Sequence, residues 1–106
     1  MIIKFGIKAK ERELDSIAEI LAGVLKVKFE PHESSFRGGE YWSAEVPKGE
    51  VFLQSNRDEL PEDDPFESGW PIDELILYLA GEEDEFWQKE LHALETTKRI
   101  GVVRLK

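Results

Sequence analysis

The apolar residues of this chain switch between a repeat of two and a repeat of about 3.6 in two separate stretches, and that switching limits the folds open to it. Ile3, Phe5 and Ile7 alternate with Lys4, Gly6 and Lys8, which predicts a half-buried strand over residues 1 to 8. From Glu11 the apolar positions become Leu14, Ile17, Ala18 and Leu21, the spacing of an amphipathic helix ending near Gly23. Glu11, Glu13 and Asp15 suit its N-terminal end, where the backbone dipole favours negative charge. Leu25, Val27 and Phe29 then alternate with Lys26 and Lys28, so a second strand is expected up to Pro31.

The rest of the chain repeats the scheme. Residues 31 to 39 collect turn formers and read as a loop. Tyr41, Trp42, Ala44 and Val46 form a β-prone run, Pro47-Lys48-Gly49 supplies a turn, and Val51-Phe52-Leu53 returns. From Ser55 to Pro71 there is little periodicity, which predicts a long surface loop of the kind that often carries function. Ile72, Leu75, Ile76 and Leu79 fit a helix face that would start after Pro71, but the continuous apolar run Leu75-Ile76-Leu77-Tyr78-Leu79 between Pro and Gly favours a strand buried on both faces. Phe86, Trp87, Leu91 and Leu94 then take helical spacing, and Ile100, Val102 and Leu105 close the chain. The expected fold is a single α+β domain over residues 1–106, a mixed sheet of about six strands with two helices on one face, in the order β-α-β-β-β-β-α-β.

Length supports one core, since a chain of 106 residues buries roughly two-thirds of its unfolded surface. No apolar run approaches the roughly 20 residues needed to span a bilayer, and charges come too early for a signal-peptide core, so a cytoplasmic location is expected. The absence of cysteine excludes disulfides and thiolate chemistry and suits a reducing compartment. Net charge is −9, and it is localised: residues 58 to 85 hold twelve acids and no base. Such a field repels nucleic acid and anionic lipid and attracts basic proteins, so neither direct nucleic-acid binding nor membrane binding is expected.

Catalytic and metal-binding frames are missing. His32 and His92 have no partner at metal or relay spacing, and no Gly-x-Ser-x-Gly elbow surrounds Ser34 or Ser35. Arg37-Gly38-Gly39 occurs once and most simply turns the chain into the hairpin. The acids Glu62, Asp63, Asp64 and Glu67, and those from Glu82 to Glu85, lack the spacing of a calcium loop. No enzyme activity and no cofactor are expected. Trp87 falls on the core stripe of the second helix, while Tyr41 and Trp42 are neighbours on one strand, so one points inward and the other outward. Trp70 either clamps the acidic loop to the body or, ringed by Asp and Glu, anchors an interface.

Phe36-Arg37-Gly38-Gly39-Glu40-Tyr41-Trp42, the loop entered through Asn56-Arg57-Asp58, the run from Leu75 to Leu79 and the ending Val102-Val103-Arg104-Leu105 resemble the small immunity proteins that bacteria encode beside contact-dependent or polymorphic toxins. The resemblance implies a cytoplasmic protein that binds a cognate basic toxin, commonly a nuclease, and blocks it. Because a nuclease surface must attract phosphates, carboxylates can occupy the same field. The residues expected to meet the partner are Asp58, Glu59, Glu62, Asp63, Asp64, Glu67 and Trp70 on the acidic loop, with Tyr41 and Trp42 on the hairpin. An acidic adaptor domain with no toxin partner is the other reading of the same surface. Neither reading fixes the oligomeric state.

Overall fold

The computed structural model of the chain describes residues 1–34, 39–58, 64–82 and 87–105. Strand β1 (Ile2–Lys10) passes through a 3₁₀ turn (Glu11–Glu13) into α1 (Leu14–Leu25). Next come β2 (Glu30–Ser34), β3 (Gly39–Val46) and β4 (Gly49–Ser55), then a short ladder of β5 (Arg57–Asp58) with β6 (Asp64–Pro65). The chain closes with β7 (Glu74–Gly81), α2 (Gln88–Thr96) and β8 (Val102–Arg104).

The fold is α+β with the expected order of elements: six strands form one sheet, ordered β2-β3-β4-β7-β1-β8, beside two helices. Every pairing in that sheet is antiparallel. Both strand–helix–strand units are nevertheless crossovers. The first carries the chain from β1 past β7, β4 and β3 to one edge, and the second carries it from β7 past β1 to the other. Each skips an odd number of strands, so strands that run parallel are never neighbours and the pairing expected to be mixed is antiparallel.

Alternation sorts the side chains onto two faces. Ile3, Phe5 and Ile7 stand in register with Leu79, Leu77 and Leu75, and the first two of these rows continue into Val51 and Leu53 of β4. These are buried, and α1 closes over them with Leu14, Ile17, Ala18, Leu21 and Leu25. Trp87 and Leu94 complete the layer from the second crossover. Removing apolar surface from water at about 25 cal/mol per Å² makes this layer the main stabilising term. Ile76 is also fully buried although it faces the other side, which accounts for the unbroken apolar run of β7.

Two local expectations change. Leu25 belongs to the last turn of α1, not to a strand, and residues 26–29 form a link outside any strand whose Val27 and Phe29 pack on the core. The second strand lies one step later, at Glu30–Ser34, in the segment that reads as a loop. Its residues are nearly all exposed, so it carries no apolar period; backbone pairing to β3 at the sheet edge defines it. Gly39 enters β3 with φ 94, a conformation that glycine adopts without strain.

Candidate functional site

The long loop after β4 is organised by Asn56, a fully buried residue. Its Nδ2 donates to the carbonyl oxygens of Trp70 at 2.8 Å, Glu67 at 2.9 Å and Pro71 at 3.2 Å, while Oδ1 accepts from the Glu67 N–H at 2.7 Å. Its backbone N–H reaches the Glu74 carbonyl at 2.9 Å, and its own carbonyl accepts from Phe66 at 3.0 Å. Only a side-chain amide offers donors and an acceptor together, so a carboxylate could not serve both ends of this clamp.

Thus held, residues 66–71 lie on the sheet face opposite the helices. Glu67 accepts from Lys4 Nζ at 3.1 Å and from the Tyr78 hydroxyl at 2.8 Å. Trp70 covers Gly6, where a Cβ would collide with the indole. Beside the loop, Glu11 accepts from Ser55 Oγ at 2.9 Å and pairs with Arg57 at 3.0 Å. Lys10 bridges Asp73 at 3.1 Å and Glu74 at 3.2 Å; the hydrogen bond to Asp73 is the main cause raising the lysine above its ordinary value, and its counterpart holds the Asp73 carboxyl below the usual carboxylate range.

The expected contact residues therefore divide. Glu67 and Trp70 fasten the loop, although part of Trp70 stays exposed. Asp58 and Asp64 are register partners in the β5–β6 ladder. Glu59, Glu62 and Asp63 lie outside the described residues. Tyr41 and Trp42 take opposite faces of β3. Tyr41 stands on the open face, stacked on His32 with ring centroids 5.3 Å apart and tilted toward Phe52 at 6.3 Å. A groove of about 460 Å³ runs beside these rings, walled by Glu30, Glu45 and Glu50 together with Lys28. Trp42 is on the helix side, where its Nε1 donates to Asp15 of α1 at 3.1 Å.

What the residue pattern did not single out is the pairing of like charges. Glu33 stands directly opposite Glu40 across β2 and β3, and Glu45 opposite Glu50 across β3 and β4. All four are exposed. Directly opposed like charges destabilise a sheet by roughly 0.2–1 kcal/mol per pair. The second pair was within reach of the sequence, because a hairpin turn at Pro47-Lys48 that joins Val46 to Gly49 also sets Glu45 against Glu50. The first was not, since β2 has no apolar signature.

Among the described residues, no group of three or more His, Asp or Glu side chains is arranged to hold a metal ion, and no helix is long and apolar enough to cross a membrane. His92 is exposed on α2. Compared with family models, with curated proteins and with solved structures, the chain matches none.

Proposed function

We propose that this chain is a protein-binding domain of the immunity type, which covers the basic surface of a toxin, such as a nuclease, and blocks it without chemistry of its own. The observation that carries this reading is the presence of two opposed glutamate pairs on the outer strands β2, β3 and β4: Glu33 with Glu40 on the helix side of the sheet and Glu45 with Glu50 on its open face. A fold gains nothing internally from such pairs, and places where a sequence breaks a local rule tend to be functional. A basic partner relieves the repulsion on contact and is steered by the same field before contact. Each pair has half-buried aromatic surface beside it, Tyr41 and Phe52 on the open face and Trp42 on the helix side, which supplies apolar area of the kind that hot spots use.

The test is inhibition. The purified chain is titrated into the basic protein encoded by the adjacent gene, and toxin activity and complex formation are followed together. Stoichiometric loss of activity, with association that slows as salt is raised, is the expected result. Binding that leaves activity intact would instead make the chain an adaptor, and absence of binding to any adjacent product would remove the immunity reading.

A further inference from the structure

Resting on the reading of a basic partner, we infer that a specific part of that partner docks on the helix side of β2 and β3: a segment carrying an apolar side chain next to an arginine or lysine. The helices pack chiefly on β1, β4 and β8, so β2 and β3 project beyond the helical layer. The step leaves a trough of about 540 Å³ whose floor and walls are Ala18, Ala22, Val27, Phe29 and Trp42. Ala18 and Ala22 are one helical turn apart on α1, and their small side chains leave the depth of the trough open. Val27, Phe29 and Trp42 are only partly buried against the core, so each has apolar surface left to cover.

Trp42 separates this trough from a second depression of about 450 Å³, which Asp15, Pro31, Glu33 and Glu40 line. Apolar surface and negative charge are thus adjacent, with one indole as the wall between them. Asp15 borders both depressions and already orients the indole through its hydrogen bond. Glu33 and Glu40 are register partners, which puts their Cβ atoms about 5 Å apart, close enough for one guanidinium to bridge both carboxylates. Asp15, Glu19, Glu33 and Glu40 face Lys28 and His32 around the two depressions, so acids outnumber bases there and the charge selects a cationic segment and disfavours a second copy of this acidic chain. Pro31 lacks a backbone N–H and blunts the edge of β2, which argues against docking by strand addition.

The probe is a synthetic amphipathic peptide with a leucine face flanked by arginines, compared with an all-arginine peptide and with a leucine–glutamate peptide. Binding is read by NMR from the Trp42 indole N–H and the amides of residues 15–29. The expected result is that only the leucine–arginine peptide shifts both, and that Glu33→Gln with Glu40→Gln weakens it by about tenfold. Ala22→Gln, with circular dichroism unchanged, fills the trough and also weakens binding, whereas the exposed glutamate substitutions do not depend on repacking. Equal binding of the all-arginine peptide, shifts that map elsewhere, or a dimer of the chain that dissolves on Ala22→Gln would each overturn the proposal. Tight inhibition of the adjacent-gene protein that survives both sets of substitutions would overturn this docking surface and leave the immunity reading standing. Peptide docking at Trp42 without any inhibited partner would do the reverse.

Discussion

The indole of Trp70 lies over Gly6 so closely that a Cβ at position 6 has no room, and this contact joins the acidic loop to the centre of the sheet. Gly6 is in β1, between β7 and β8, so the ring presses on backbone that cannot yield cheaply. Gly6→Ala should cost on the order of 1–3 kcal/mol through overpacking, measured by urea unfolding. In a Trp70→Ala background the same substitution should cost clearly less, because the two residues are in contact. Penalties that simply add would show that the ring is not what excludes a side chain there.

Asn56→Ala removes three donated bonds and one accepted bond from a fully buried site, leaving the carbonyls of Glu67, Trp70 and Pro71 without this donor. A loss of roughly 2–3 kcal/mol is expected. Asn56→Asp should fail almost as badly, since it restores the acceptor and not the donors. Hydrogen exchange at Phe66, Glu67 and Trp70 should rise in both variants before the core amides change.

The elements with a one-sided apolar pattern were legible from residues alone: β1, α1, the β3–β4 hairpin and β8. So was the strand nature of β7, whose run from Leu75 to Leu79 is apolar on both faces because Trp70 and the loop cover what would otherwise be solvent. The edge strand β2 was not, because its exposed residues Glu30 to Glu33 are held by backbone pairing, which leaves no mark on hydrophobic period. The candidate site was half legible. Tyr41 and Trp42 do take opposite faces, but Glu67 has internal partners and Asn56 is the organiser of the loop, and both facts depend on contacts between residues eleven or more positions apart.

Lys10 and Asp73 give the fold a pH signature of defined sign. The Asp73 carboxyl is held below its ordinary value of 3.8, so its contribution is complete above that value and is lost as pH falls through the lower folded-state value. Lys10 is raised above 10.5, so its contribution is complete below that value and is lost as pH rises through the higher folded-state value. The urea midpoint of the wild type should therefore exceed that of Asp73→Asn at neutral pH, and the gap should close in acid. A gap that stays constant down to strongly acid pH would contradict the ion pair.

Helix α1 stops at a residue that is not suited to the conformation it adopts. Lys26 sits at φ 56 and ψ 46, the left-handed region, with its N–H on the Ala22 carbonyl. Glycine takes that conformation without the Cβ clash, so Lys26→Gly should stabilise the chain by about 0.5–1 kcal/mol in thermal unfolding. Lys26→Val should destabilise it, since a β-branched side chain sharpens the clash.

Charge reversal within the glutamate pairs separates stability from binding. Glu45→Lys places a cation opposite Glu50, and Glu33→Lys places one opposite Glu40, turning repulsion into attraction across each register pair. Each change should raise stability by roughly 0.2–1 kcal/mol, and by less at high salt, where exposed charges are screened. The same changes should slow association with a basic partner, most strongly at low salt, because they weaken the field that steers it. Unfolding midpoints and association rates would be measured on the same preparations at two ionic strengths. A surface kept for solubility alone predicts higher stability with an unchanged association rate, whereas a binding surface predicts that the two quantities move in opposite directions.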